Sequence, residues 1–450
     1  MNSTTVCCVS AMMTCLVASA IDITTDTVVT GPDIAAYTEV SINISEGKTL
    51  TLSEPDQNYT FTGALSGGGN FVCKSAFAGN KRMTFSGNSP GFSGALFFTN
   101  VAFYVSFPSA IGGAKKIAAD YSASGCTSQC VFDGRGAYNC ACDFKVREIN
   151  DVNQGLRIKD EETELAGTVA WRGGRVWGPG KISGKITSTS WLYASGDVHI
   201  AGGASVTYPQ RLTNDGSSFW ADSVISGDVQ LTGGAVYFGC ENAFVGSVIF
   251  NSSSQTVLDL NGWNQKLVLY PEASGNITSA KPATVTMTKM WENRALGNLN
   301  GAVSLKYNVW ETTNNKMSLA GANNTTTGTV EITNGQITLE DGVRFVNAAK
   351  LRVFGNNYSS PRLYIPNDAT VLCKKCRLEV EEGAGSTPRI NVGEKGLLVV
   401  REAAVMAWGV TVNLPVGDYK AGDGSSLGKR MEGTGTIRVL GQMGLVISVK

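Results

Sequence analysis

Short segments in which every second residue is apolar alternate with glycine along this chain. The clearest form is Gly, a small polar residue, Val, any residue, an apolar residue, any residue and then Gly-Gly, and its copies begin at Gly167, Gly196 and Gly227. Residues two apart in a strand point to the same side, so Val and the next apolar residue share one face. Paired glycines readily adopt the positive φ of a tight turn. The pattern predicts short β-strands joined by Gly and Asn turns.

The recurrence of this motif indicates how the strands are arranged. Its copies begin about thirty residues apart, and a series of unrelated hairpins would not explain such a period. One coil cannot bury its own apolar row, whereas stacked coils bury each other's rows. We therefore predict an all-β protein, a right-handed parallel β-helix (a β-solenoid), with atypical coils at its ends that protect the exposed edges.

Composition narrows the classes of function. Hydrophobic residues make up 42% of the 450 residues, enough for a large core, and charged residues only 16%, against about 25% in an average soluble domain. Lys and Arg together number 37, as do Asp and Glu. This balance gives no basic field that would attract nucleic acid or an anionic membrane.

The N-terminus has the features of an export signal. Residues 6–18 are uncharged and mostly apolar, and Ala18-Ser19-Ala20 matches a small-x-small cleavage site, although no Lys or Arg precedes them. We expect residues 1–20 to be removed, so that the mature chain begins near Ile21. No later stretch approaches the roughly 18 apolar residues that span a bilayer, so no transmembrane segment is predicted in the mature chain.

Cysteines suggest disulfides, because an even number remains after the signal. The eight are Cys73, Cys126, Cys130, Cys140, Cys142, Cys240, Cys373 and Cys376. A hairpin with its loop at residues 134–136 would place Cys130 opposite Cys140, with Cys126 and Cys142 as a second bridge. Zinc is the alternative, but the spacing does not match paired C-x₂-C ligands. Cys373 and Cys376 lie in strand-like sequence, which favours a structural disulfide over redox chemistry; Cys73 and Cys240 remain unassigned.

One segment resembles a known family. Residues 67–74 contain a Gly-Gly-Gly run, residues 79–89 end in Ser-Gly-Asn-Ser, and residues 91–98 contain Phe-Ser-Gly. Together they resemble the autotransporter-associated β-strand repeat of bacteria. The segment departs from that repeat at Phe71 and Met83, where leucine is usual, and at Ala95, where glycine is usual. Residues 414–419 and 433–437 also look like the closing coil of such proteins. The resemblance implies a bacterial exported passenger, although no C-terminal translocator barrel is recognisable in the sequence.

Catalytic motifs are weak. Residues 157–159 match a short Arg-Ile-Lys motif of polygalacturonase-like hydrolases, but the paired aspartates of that family are missing, and residues 160–162 form an acidic cluster that suits a solvated turn. His199 occupies the variable position between Val198 and Ile200, so it should face solvent. No cofactor site, metal site or catalytic residue is predicted.

Tryptophans concentrate around one part of the chain. Trp171, Trp177, Trp191 and Trp220 lie within about fifty residues. Burial in the core is the commoner fate of such residues, while on an outer face they would stack against sugars.

These patterns divide the chain into four parts. We predict a signal peptide (1–20), an N-terminal β segment with the autotransporter-type repeat (21–106), a cysteine-containing insertion with a hairpin (107–150) and a solenoid with a closing coil (151–450). The expected function is that of a non-catalytic bacterial passenger, extracellular or at the cell surface, which serves as a stalk, adhesin or binder of a glycan or cell-surface partner. The alternatives are a polysaccharide-cleaving β-helix enzyme, either lyase or glycoside hydrolase, and a phage tailspike-like protein.

Overall fold

The protein is a nearly all-β solenoid of about 16 turns, which confirms the predicted fold class. Its computed structural model describes residues 20–77, 81–123, 126, 128–146, 154–207, 210–214, 216–250, 256–271, 275–290, 295–310, 316–355, 359–386 and 388–441. The predicted signal peptide lies outside these residues, apart from Ala20. No helix in the described part of the chain is long and apolar enough to cross a membrane.

Four sheets, whose strands run mainly parallel, form the sides of the solenoid in the described residues. A three-stranded sheet contains Ile21–Ile23, Ile42–Ile44 and Leu65–Ser66. A ten-stranded sheet contains Thr27–Thr30, Thr49–Ser53, Asn70–Lys74, Ala95–Thr99, Lys116–Tyr121, Ala141–Val146, Val169–Arg172, Ile186–Ser188, Ala204–Val206 and Ile225–Ser226. A six-stranded sheet contains Ala295–Leu296, Lys316–Leu319, Gln336–Leu339, Arg362–Ile365, Arg389–Val392 and Met431–Glu432.

The remaining strands form one long sheet that follows the solenoid from Tyr59 to Val439. They are Tyr59–Phe61, Arg82–Phe85, Ala102–Val105, Gln129–Phe132, Gly136–Tyr138, Gly155–Ile158, Thr163–Leu165, Arg175–Trp177, Lys181–Ile182, Leu192–Ser195, Val198–Ile200, Arg211–Asn214, Phe219–Ala221, Asp228–Leu231, Ala235–Phe238, Ser247–Phe250, Thr256–Asp259, Gln265–Pro271, Gly275–Met290, Leu299–Asn308, Thr329–Asn334, Lys350–Phe354, Thr370–Glu382, Leu397–Ala407, Val410–Asn413, Gly417–Tyr419 and Thr436–Val439. Helical turns occupy Gly31–Ile34, Ala35–Thr38, Pro108–Ala110 and Gly428–Arg430.

The three motif copies lie on three different sides of the solenoid. Val169 belongs to the ten-stranded sheet, whereas Val198 and Val229 lie in two separate strand ladders of the long sheet. Val169, Ile186 and Ala204 occupy one position in successive coils, so these coils advance by 17 and 18 residues. A step of about thirty residues along the chain therefore passes through one full coil and then two more sides of the next coil.

The apolar residues of the motif line one continuous core. Val169, Val198 and Val229 are all 0% exposed, as the strand pattern predicts. Parallel pairing in register places like positions of successive coils directly over one another, so each apolar row covers the next. Glycines turn the chain at the corners, for example Gly174 with a φ of 83° and Gly203 with a φ of 77°.

The predicted cysteine hairpin is wrong. Gln129–Phe132 pairs in parallel with Ala102–Val105 and with Gly155–Ile158, and Gly136–Tyr138 pairs in parallel with Thr163–Leu165. The loop between Gln129–Phe132 and Gly136–Tyr138 turns the chain onto the next side of the same coil, where both strands cover the apolar rows of neighbouring coils. The described residues of 107–150 thus form ordinary coils, not an insertion.

The C-terminal end departs from the parallel pattern, as we expected for a terminal coil. Val410–Asn413 runs antiparallel to the second half of Leu397–Ala407, and Gly417–Tyr419 runs antiparallel to Thr436–Val439. These strands cover the last edge of the long sheet.

Candidate functional site

Three aromatic side chains form a ladder on the outer face of the long sheet. His199, Trp220 and Tyr237 occupy one position in three successive coils. Their neighbours along each strand are buried, so alternation directs the three rings outward. The His199 and Trp220 ring centroids are 5.0 Å apart with planes 8° from parallel, and those of Trp220 and Tyr237 are 4.6 Å apart. The rings stack because neighbouring strands are about 4.8 Å apart.

A carboxylate fixes the orientation of the His199 ring. Nδ1 of His199 lies 2.7 Å from Oδ2 of Asp222, in the following coil. A carboxylate only accepts hydrogen bonds, so the proton of this bond belongs to Nδ1, and Nε2 of a neutral ring is left as an acceptor. The His199 side chain is 36% exposed and that of Asp222 25% exposed, so the pair is half-buried and accessible from solvent.

The ladder forms one wall of an open cleft of about 430 Å³, lined also by Glu161, Pro179 and Asp197. Asp197 has a φ of 60°, in the left-handed region, and directly precedes the strand Val198–Ile200. This volume falls in the range of about 300–1,000 Å³ that is typical of small-molecule sites. We call this site the aromatic cleft. It combines aromatic surface with carboxylates that accept hydrogen bonds, an arrangement that suits a ligand with both C–H surface and hydroxyl groups.

A second aromatic group lies on the adjoining ladder of the long sheet. The rings of Trp191 and Tyr193 stack with centroids 6.4 Å apart, and the guanidinium of Arg211 lies 5.9 Å from the Trp191 centroid. Trp177 is half-buried on the same ladder, whereas Trp171 is fully buried against Phe144. The tryptophans noted in the sequence are therefore divided between the core and the outer face.

The other sequence candidates form surface ion pairs. Lys159 contacts Asp133 at 2.8 Å, and Arg135 contacts Asp160 at 3.1 Å and Glu162 at 3.3 Å. The pKa of Asp160 lies below its usual range, chiefly because the backbone N–H of Glu162 donates to its carboxylate and further because of Arg135. The acidic cluster is thus a solvated turn, as expected, from which Glu161 alone lines the aromatic cleft.

A larger groove of about 720 Å³ crosses the C-terminal half of the long sheet. Its walls carry ion pairs between coils: Glu331 contacts Lys306 at 3.5 Å and Arg352 at 2.7 Å, Arg352 also contacts Glu381, and Lys350 contacts Glu379 at 3.2 Å. Because each charge has an opposite partner, the groove offers no single-signed field to a ligand. We regard it as an ion-pair ladder between coils.

The cysteines are thiols in this structure, and two pairs are in contact. The Sγ of Cys142 donates a hydrogen bond of 3.7 Å to the backbone carbonyl of Cys140, and that of Cys376 donates one of 3.7 Å to the carbonyl of Asn347. The neighbouring Cys142 side chain lowers the pKa of Cys140, and the Cys373 side chain lowers the pKa of Cys376. Cys130 instead contacts the hydroxyl of Tyr121 at 3.7 Å. Within the described part of the chain, no group of three or more His, Cys, Asp or Glu side chains is arranged to hold a metal ion. The predicted disulfides remain predictions.

No protein-family model matches this chain, and neither a curated protein nor a solved structure shows significant similarity to it. The fold alone defines the class of protein, a parallel β-solenoid.

Sequence reasoning placed His199 on the outside but missed its partners. Asp222 and Tyr237 are 23 and 38 residues further along the chain, and neither belongs to a recognisable catalytic or binding motif. The sequence contains one sign of this arrangement: Trp220 and Tyr237 each lie between two apolar residues, as His199 does. A correct coil length would have aligned the three.

Proposed function

We propose that this protein is an exported, non-catalytic β-helical passenger that acts as a surface stalk or adhesin and binds a glycan in the aromatic cleft. The observation that supports this proposal best is the ladder of His199, Trp220 and Tyr237 beside the carboxylates of Asp197 and Glu161. Aromatic rings provide apolar surface with polar handles for the C–H faces of a sugar. Carboxylates accept hydrogen bonds from its hydroxyl groups.

The scaffold suits a binding role. A solenoid holds its outer side chains on a continuous hydrogen-bonded sheet, so little conformational entropy is lost when a ligand binds. Its extended side offers neighbouring coils to successive units of a chain-like ligand. The second aromatic group, Trp191 and Tyr193 with Arg211, lies on the adjoining ladder and would extend such a surface.

Two features of the sequence support export and a passenger role. Residues 1–20 have the pattern of a signal peptide, and residues 59–106 resemble the bacterial autotransporter-associated repeat. Phe71, Met83 and Phe85 of that segment are buried in the solenoid core, as expected for part of a β-helical stem.

Binding is tested with the purified chain on a glycan array, followed by calorimetric titration of the saccharide that binds. We expect Trp220→Ala to weaken affinity at least about tenfold, which corresponds to about 1.4 kcal/mol. Tyr364→Ala is the matched control, because Tyr364 is a half-buried aromatic residue on an outer face of the separate six-stranded sheet. Failure of the wild-type chain to bind any glycan, or equal affinities of the two variants, would refute the proposal.

A second candidate function, polysaccharide cleavage, is favoured by the His199–Asp222 pair. The Asp222 carboxylate leaves Nε2 of His199 as a possible general base, and Glu161 and Asp197 line the same cleft. Pectins, alginates and mucins should be incubated with the chain, and unsaturated products and new reducing ends measured. If the chain cleaves one of these substrates and His199→Phe abolishes the turnover, the protein is an enzyme and the non-catalytic proposal is excluded.

A further inference from the structure

The two antiparallel strands at the C-terminal end of the long sheet differ in charge. Gly417–Tyr419 carries Asp418, whose carboxylate accepts two hydrogen bonds of 2.8 Å from Arg438. Val410–Asn413 has four exposed residues, and no charged residue occurs from 408 to 417. Natural edge strands are usually protected by charges, proline or a covering segment. Val410–Asn413 contains neither a charged residue nor a proline, and no described segment covers its outer edge; Nη2 of Arg377 donates a hydrogen bond of 3.0 Å to Oδ1 of Asn413 at its end.

The outer edge of Val410–Asn413 presents unpaired backbone groups. Its inner edge pairs with residues 404–407, and the N–H of Leu414 donates to the carbonyl of Ala403 at 2.9 Å. Backbone groups of alternate residues point to opposite edges in an antiparallel ladder, so Thr411 and Asn413 direct their N–H and C=O groups outward. Among the described residues, no strand pairs with this edge. These groups fit another β-strand.

Exposed apolar side chains surround the same edge. Trp408 is 86% exposed, Val410 62%, Val412 46% and Val416 67%. Trp408 also has a φ of 53°, at the tip of the hairpin. A two-residue hairpin turn of this kind needs a positive φ at both central residues, and Gly409 supplies the second with a φ of 80°.

We propose that this terminal edge, residues 408–413, pairs antiparallel with the same edge of a second copy of the chain and so forms an end-to-end dimer. A two-fold axis brings the outward donors of each copy opposite the outward acceptors of the other, which makes the contact isologous and closed. The pairing would continue the long sheet from one copy into the next.

The size of the surface is consistent with a dimer contact. The exposed apolar side chains of the edge, together with that of the flanking Val416, amount to roughly 500 Å² per copy, or roughly 1,000 Å² in total, about the threshold for a specific interface. A lipid surface would cover the side chains but leave the backbone groups unsatisfied. A second copy satisfies both.

Sedimentation equilibrium of the full chain tests the proposal. We expect a reversible monomer–dimer equilibrium. Thr411→Pro removes one outward N–H and no inward hydrogen bond, so it should weaken dimerisation at least tenfold, and the double variant Val410→Lys, Val412→Lys should do the same by placing like charges across the two-fold axis. Val28→Lys is the matched control, because Val28 is 66% exposed on the edge strand at the opposite end. Far-ultraviolet circular dichroism confirms that each variant is folded.

Other results would overturn the proposal. A chain that stays monomeric at all concentrations excludes it, and slow amide exchange at Thr411 and Asn413 in that monomer would show that another segment of the same chain covers the edge. If dimers form but neither Thr411→Pro nor the double lysine variant raises their dissociation constant, the dimer uses another surface. Open-ended polymers weakened by Val28→Lys would mean head-to-tail contact.

Discussion

His199 and Asp222 are joined by a 2.7 Å hydrogen bond between two successive coils. Asp222 follows the strand Phe219–Ala221, whose Trp220 stacks on the His199 ring. The Asp222 carboxylate thus fixes the rotation of the imidazole within its plane, and the Trp220 indole packs against one face of the ring. This orientation decides which His199 atoms face the aromatic cleft.

Removal of the Asp222 acceptor should weaken glycan binding without unfolding the chain. We expect Asp222→Ala to lower affinity about three- to tenfold, because the ring loses the partner at Nδ1 that holds its orientation. Asp222→Asn retains an acceptor oxygen and should bind nearly as well as the wild type. Calorimetric titration measures both variants; if alanine and asparagine weaken binding equally, the charge and not the hydrogen bond is what matters.

Two tryptophans of one motif copy should differ in their effect on stability. Trp171 is 0% exposed and packs on Phe144, with ring centroids 5.6 Å apart. Trp171→Ala should therefore reduce the free energy of unfolding by about 3–5 kcal/mol. Trp177→Ala, on the outer face, is the control and should cost less than about 1 kcal/mol. Urea denaturation measures both, and similar losses would contradict the assigned burial.

Trp171→Phe provides a finer measurement of the same site. Nε1 of Trp171 is buried, and no hydrogen-bond partner for it occurs among the described residues. An unmade buried donor costs about 1–3 kcal/mol, which would offset part of the lost volume. We expect Trp171→Phe to be at least 1 kcal/mol more stable than Trp171→Ala in the same denaturation experiment.

Glycines at the corners should differ sharply in their tolerance of substitution. A Cβ added to Gly184 would lie 1.7 Å from the carbonyl oxygen of Gly167 in the preceding coil. Gly184→Ala must push two coils apart and should cost at least about 2 kcal/mol. Gly47 has a φ of 74° and no atom within 4 Å of an added Cβ, so Gly47→Asn meets no steric clash and should cost less than about 1 kcal/mol for its left-handed backbone. Melting temperatures of the two variants check the prediction; equal shifts would be inconsistent with the close approach of the coils.

Cys73 should make stability fall at alkaline pH. Burial raises the pKa of its thiol from 9 to about 12. Because the folded pKa is raised, the unfolded thiol loses its proton first, so this contribution is complete below about pH 9 and is lost progressively as pH rises toward 12. Cys73→Ala should show a smaller loss of unfolding free energy between about pH 8 and pH 10 than the wild type. Parallel curves for the two proteins would argue against a buried neutral thiol.

The thiol contacts support one predicted disulfide and argue against another. Strand pairing is irregular between Cys373 and Arg377, and the Cys373 side chain lowers the pKa of the neighbouring Cys376 thiol. Non-reducing peptide mapping of exported protein should find this pair linked. We expect no Cys130–Cys140 link, because Cys140 contacts Cys142 instead. Detection of the Cys130–Cys140 link would show that the coil between them rearranges on oxidation.

The sequence by itself determined the fold class and the inward row of each strand. Alternation of apolar residues and glycine corners are local properties, so Val169, Val198 and Val229 could be assigned to the core, and His199 to the surface, without knowledge of neighbouring coils. The motif recurs about every thirty residues in the sequence, but this spacing does not reveal the length of one coil. Equivalent Gly-Val-x-apolar segments suit any side of a solenoid, and nothing in the motif distinguishes the sides.

Only the tertiary structure decided which residues meet. Coils of 17 and 18 residues beside longer ones place Trp220 over His199 and Tyr237 over Trp220, and they separate Cys130 from the hairpin partner that its spacing suggested. Parallel pairing joins residues through the length of a whole coil, which depends on every intervening turn. A site built across coils is therefore fixed by the accumulated loop lengths, and these carry no local pattern that the sequence reveals.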